Sequence, residues 1–114
     1  MSYAAPKNYH IKVRVYNENI DFGKGVAEIL RRVDETGSLS AAYKAMGMSS
    51  SKAWKILRRA EADLGFALVR GTSGGVSGGG TVLTEEGRSL LLRYTAFNAE
   101  VQKAAAQAFS KYFK

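Results

Sequence analysis

The sequence predicts a mainly α-helical chain with a small β element, and three observations carry that prediction. Apolar residues recur at helical spacing in four separate stretches between Val26 and Ala108. Ser38, Ser49 and Thr84 stand just before three of those stretches, where a side-chain oxygen can accept a free backbone N–H. Six of the ten residues from Gly71 to Gly80 are glycine, and short strand-like runs at 67–70 and 81–83 flank them.

Taken in order, the chain starts with a short tail holding its only proline, Pro6. Residues 9–16 then alternate apolar Tyr9, Ile11, Val13 and Val15 with more polar neighbours, the pattern of a half-buried strand. Residues 17–21 are turn-like. From Gly25 the pattern changes to Val26, Ile29, Leu30 and Val33, the stripe of a first helix ending near Gly37. Ser38 caps a second, very short helix striped by Leu39, Ala42, Tyr43 and Met46. It stops at Gly47, where a sharp turn needs a residue that tolerates the left-handed conformation, and Ser49 caps a third helix within two residues. Along that helix Ala53, Leu57, Ala60 and Leu64 share one face and Gly65 ends it; Ser51, Lys52, Lys55, Arg58, Arg59 and Ala62 fall largely on the other. The glycine-rich stretch reads as a long flexible hairpin over about 67–83.

Thr84 caps the final helix, over about 84–113, where Leu90, Tyr94, Phe97, Val101, Ala104 and Ala108 are spaced 4-3-4-3-4. Phe109, Tyr112 and Phe113 extend its apolar side. At about 28 residues it is on the order of 40 Å long. That outruns a domain this small, so its far end is expected to pair with a second copy of the chain.

Composition narrows the function. A length of 114 residues and 46% hydrophobic content fit one domain over 1–114 with a real core. With no cysteine and one histidine, His10, the chain lacks the usual parts of a disulfide framework, a zinc finger or a Cys or Ser/His catalytic site. No paired carboxylates complete an acid/base constellation, so no enzyme and no cofactor is expected. No apolar run approaches the roughly 20 residues that cross a bilayer, and no signal peptide opens the sequence, so a reducing cytoplasm is the expected location. The net charge of +7 favours a polyanionic partner, and residues 37–70 hold six Lys and Arg against two Asp and Glu.

That basic stretch contains two helices joined by a short glycine turn, the order of a helix-turn-helix, whose second helix enters the major groove of DNA. With the hairpin after it, the expectation is a winged helix-turn-helix with a long C-terminal dimerisation helix. In the recognition helix, about 49–64, Ser49, Ser50, Ser51 and Lys52 form the protruding start, with Lys55 and Arg59 one and two turns further on. Lysine and arginine can donate to guanine O6 and N7, while serine hydroxyls and a helix N-terminus suit phosphate oxygens. Arg70 and the hairpin's backbone N–H groups are expected along the phosphates of double-stranded DNA. The hairpin is not a nucleotide-phosphate loop, since neither lysine nor arginine lies between Gly71 and Gly80. Trp54, beside the apolar stripe, is expected to fill the core between helices. A basic helix is more often a solvated face than a DNA reader, and it is the order of elements around this one that favours DNA. The alternative is a winged-helix protein-interaction or dimerisation module whose basic face meets an acidic partner.

These residues also carry a resemblance. The run Gly37-Ser38-Leu39-Ser40-Ala41-Ala42, then Gly47-Met48-Ser49 and Ala53-Trp54, then Leu68-Val69-Arg70 leading to Leu83-Thr84-Glu85-Glu86-Gly87, resembles the N-terminal DNA-binding domain of the ModE family of molybdate-responsive regulators. That domain is related to the LysR-type winged helix. The resemblance runs from Tyr9 to Tyr94 and implies a homodimer whose third helix enters the major groove at a two-fold symmetric operator. Two departures accompany it. Full-length members carry molybdate-binding domains after the long helix, whereas these 114 residues end at Lys114 without room for one, so DNA binding insensitive to molybdate and no small-molecule effector within this chain are expected. Ser50-Ser51-Lys52 also differs from the family's residues there, so the operator need not be the family's molybdate operator.

Overall fold

The computed structural model describes residues 4–72 and 80–114, so the tip of the glycine-rich hairpin lies outside the described residues. Helix α1 spans Lys24–Thr36, α2 Leu39–Ala45, α3 Ser50–Leu64 and α4 Glu85–Phe113, with strands β1 at Val69–Gly71 and β2 at Thr81–Leu83 between α3 and α4. The four helices and the two-stranded sheet have the winged helix-turn-helix order expected from the sequence.

Each boundary has a local cause. Ser38 accepts the Ala41 amide, Ser49 the Lys52 amide and Thr84 the Gly87 amide, so α2, α3 and α4 all begin at the hydroxyl residues that the sequence marks as caps. Gly37, Gly47 and Gly65 have φ of 71°, 65° and 85°, the left-handed geometry that turns the chain after α1, α2 and α3. Unlike the others, α1 starts at Gly23 with no side-chain cap.

One core joins these elements. Val26, Ile29, Leu30 and Val33 of α1 meet Leu39 and Ala42 of α2, Leu57 and Ala60 of α3, and Leu91 and Tyr94 of α4, with Phe22, Leu68, Val69 and Leu83 closing the sides. Phe22 and Tyr94 pack edge to face with ring centroids 5.3 Å apart. The sheet is antiparallel, pairing Val69 with Leu83, Arg70 with Val82 and Gly71 with Thr81. Its first strand starts two residues later than the sequence suggests, because Ala67 and Leu68 serve as anchors. The Ala67 carbonyl accepts the Thr84 hydroxyl at 2.6 Å and the Leu68 carbonyl accepts the Thr84 amide at 3.0 Å.

Residues 9–16 depart from the expected strand. Their contact with other β structure is one isolated bridge, Val15 to Phe22. Burial alternates only at its far end, where Val13 and Val15 are half-buried between exposed neighbours while Tyr9 and Ile11 are exposed, and helix α4 covers this segment in place of a neighbouring strand. Tyr94 donates its hydroxyl to the Val13 carbonyl at 2.7 Å, Gln102 donates to the Ile11 carbonyl at 3.0 Å, and the Tyr9 and Phe109 rings lie 4.9 Å apart. Alternation reports one covered face and is silent on whether a strand or a helix covers it.

The expected 4-3 seam of α4 is divided in the same way. Tyr94 is buried in the core and Leu90 and Val101 are half-buried, whereas Phe97, Ala104 and Ala108 are exposed. Leu92 and Phe97 are 65% and 50% exposed, and Tyr112 and Phe113 also face outward near the C-terminus. No helix among the described residues is long and apolar enough to cross a membrane.

Candidate nucleic-acid interface

Helix α2, a four-residue turn at 46–49 and helix α3 form the helix-turn-helix. The turn is closed by backbone bonds from Met46 to Ala42, Gly47 to Lys44 and Met48 to Tyr43, which fix where α3 begins. The hydroxyls of Ser40 on α2 and Ser50 on α3 flank the Tyr43 hydroxyl and hold its pKa below the ordinary phenol value.

From that start α3 buries Ala53, Leu57, Ala60 and Glu61 and leaves Ser51, Lys52, Lys55, Arg58, Arg59 and Ala62 exposed. Ser49, Ser50, Ser51 and Lys52 therefore gather at the exposed N-terminal turn, where unpaired backbone N–H groups add partial positive charge. Ser49 uses an acceptor lone pair on the Lys52 amide, 3.1 Å away, and its hydroxyl proton can still donate. Lys55 lies one turn along, on the same outward side as Ser51. Arg59 occupies the flank toward the N-terminal segment, with Nε 3.8 Å from Asp21 Oδ1, and lines a cleft with Arg14, Lys24 and Ile56. Arg70 is exposed on β1, across the ladder from Val82.

Three contacts hold this surface in position. Asp63, near the end of α3, accepts the amides of Asn17, Glu18 and Asn19, each at 2.8 Å, and pins the turn before α1 to the recognition helix. The hydrogen bonds from Asn17 and Asn19 are the main reason its carboxyl lies below the usual aspartate pKa. Arg88 of α4 forms a two-point ion pair with Asp34 of α1, at 2.8 and 2.9 Å. The β2 end of the wing is fixed to the first helix by the Thr81 amide, which donates to the Gly37 carbonyl at 2.9 Å.

Trp54 overturns the expectation of core packing. It is 37% exposed, with the Arg58 guanidinium stacked over its ring at 4.7 Å. Ala53 takes the inward position, and the residue after it is rotated about 100° around the helix axis. Sequence reasoning also missed Glu61, the buried acidic residue of the core, whose carboxylate accepts Arg58 at 2.8 Å and the Leu68 amide at 2.7 Å. The signal was available as a row: Trp54, Arg58 and Glu61 are spaced i, i+4, i+7.

A capped recognition helix exposed beside a two-stranded wing defines the class of winged helix-turn-helix DNA-binding proteins. The chain belongs to the bacterial regulatory helix-turn-helix proteins of the lysR family, whose model matches residues 26–88, from α1 to the first turn of α4. It is similar to the molybdenum-pterin-binding protein MopB of Rhodobacter capsulatus, at 37% identity over 75 residues, 66% of this chain and 28% of that protein. It is also similar to the molybdenum transport protein ModE of Azotobacter vinelandii, at 33% identity over 76 residues, 67% of this chain and 28% of that protein. The chain thus matches little more than a quarter of the length of either relative, and both agree with the ModE-like resemblance read from the sequence.

Proposed function

We propose that this chain is a transcription regulator that binds one operator sequence in double-stranded DNA as a homodimer, acting as a single domain over 1–114. The observation that carries the reading is the exposed start of α3, where three serines and two lysines surround a helix N-terminus on a chain of charge +7. Lys52 and Lys55 reach base edges in the major groove, while Ser49, Ser50 and Ser51 hold the flanking phosphates. Arg59 meets the backbone on one side of the groove and Arg70 meets it at the wing. The exposed Leu92 and Phe97 of α4 supply apolar surface for a second copy, whose two-fold axis sets the recognition helices about 34 Å apart, one turn of DNA.

Selection of bound fragments from a random duplex pool at about 0.15 M salt tests this, followed by a salt series on the selected duplex and a scrambled one. An enriched inverted repeat, bound more tightly than scrambled DNA and with a steep salt dependence, is the expected result. No enrichment and no salt-sensitive binding would move the function to a protein-interaction module.

A further inference from the structure

Arg58 is the best-immobilised cation on the outer face of α3. Its guanidinium carbon lies over the Trp54 ring, 4.7 Å from the centroid, and its Nη1 donates to Glu61, yet the side chain is 64% exposed. Glu61 is itself held, because its second oxygen accepts the amide of Leu68, the residue just before β1. A chain of contacts therefore runs from Trp54 through Arg58 and Glu61 to the root of the wing. Trp54 follows Ser51 and Arg58 follows Lys55 at i, i+3 spacing, so the unit lies between the proposed base-facing side of the helix and the wing.

Such an arrangement costs side-chain entropy and occupies only one guanidinium nitrogen. The remaining donors form a fork already oriented in space, and the planar fork of arginine matches the two oxygens of a phosphate. The Trp54 ring attracts the guanidinium above it and so helps to hold that fork in place.

We propose that Arg58 grips a DNA phosphate between the major groove and the wing, with Trp54 and Glu61 as the residues that position it. The inference rests on the DNA-binding reading above and assigns it a contact that specifies register and not base identity. Because Glu61 also holds the Leu68 amide, the same contact sets the angle between recognition helix and wing.

Trp54 is the chain's one tryptophan, so its fluorescence reports on this unit alone. On titrating wild-type protein with the selected duplex, emission should change and acrylamide quenching should fall. Arg58→Ala should weaken binding to selected and scrambled duplexes alike, by roughly tenfold, and reduce the salt slope by about one. Arg58→Lys should not restore affinity, because an ammonium cannot keep the Glu61 bond and offer a planar fork. Trp54→Ala should give part of the same loss, and the double variant with Arg58→Ala should lose no more than Arg58→Ala alone. Circular dichroism melts check that these surface variants stay folded, and Trp54→Phe, which keeps a ring beneath Arg58, should bind nearly as the wild type does. If the wild type binds no DNA, the proposed function fails and this contact with it. If the wild type binds and Arg58→Ala keeps the full salt slope, or Trp54 emission is unchanged by DNA, the contact alone is overturned.

Discussion

Gly87, in the first turn of α4, lies so close to the carbonyl group of Leu68 that a Cβ at this position would overlap its oxygen. The approach follows from Thr84, which caps α4 at the Gly87 amide while holding both the Ala67 and Leu68 carbonyls. Helix, cap and wing root meet at one point where no side chain fits.

Replacing a helical glycine with alanine ordinarily stabilises a helix by up to about 1 kcal/mol. Gly87→Ala should do the reverse and lower stability by roughly 1–3 kcal/mol, because backbone must move to admit the methyl group. Gly25→Ala in α1, where a Cβ meets nothing within 4 Å, is the matched control and should stabilise by about 0.4–1 kcal/mol. Urea unfolding of both variants measures the contrast.

Thr84→Ala removes the cap and the bond to Ala67 together, and a loss of about 1–2 kcal/mol is expected. Thr84→Ser keeps the oxygen and should recover most of it in the same unfolding measurement.

Asp63 gives the fold a dependence on acid. Its pKa is lower in the folded chain than in the unfolded one, so its contribution is fully present above the ordinary aspartate value of about 3.9 and is lost as pH falls through the lower folded value. Asp63→Asn should be less stable than wild type at neutral pH, and the gap should close below about pH 4. Unfolding curves for both proteins across that range check the sign.

Lys55→Ala should cost about 1–3 kcal/mol in operator affinity and relax preference at one base position in each half-site, read by repeating the duplex selection with the variant. This differs from the uniform loss expected at Arg58, so one set of binding curves separates a base contact from a phosphate contact.

Phe97→Glu should convert the proposed dimer to monomer in light scattering after gel filtration and leave the melting of the chain largely unchanged. Its ring is half exposed and has no place in the buried core, so the charge falls on the surface that a second copy would cover.

Much of this architecture was legible from residues alone. Ser38, Ser49 and Thr84 cap the helices they precede, and Gly37, Gly47 and Gly65 take the turns that need left-handed backbone. Those signals are local, and the chemistry of one residue decides them. Long-range relations were harder to read. The alternation in residues 9–16 cannot say that α4 covers them, and a tryptophan beside the apolar stripe reads as a core residue although the inward position of Ala53 turns it outward. Only its i, i+7 and i, i+3 spacing from Trp54 and Arg58 marks Glu61 in the sequence, because the Leu68 amide that it accepts belongs to another element. In the candidate site, exposure of Ser51, Lys52 and Lys55 followed from helical periodicity, whereas the turn of Arg59 toward Asp21 depends on where the preceding chain passes.

The base of the wing is fastened at both ends. The Thr72 amide and hydroxyl pair with the carbonyl and amide of Gly80, at 2.9 and 2.7 Å, and Thr81 is tied to Gly37. Whatever sequence joins Thr72 to Gly80, the helices meet the same fixed terminals. Doubling the length of such an insert adds only about 0.6 kcal/mol of closure cost. The scaffold therefore acts as a socket, in which Thr72 and Gly80 fix where any joining segment leaves and re-enters the domain, whatever its length or charge.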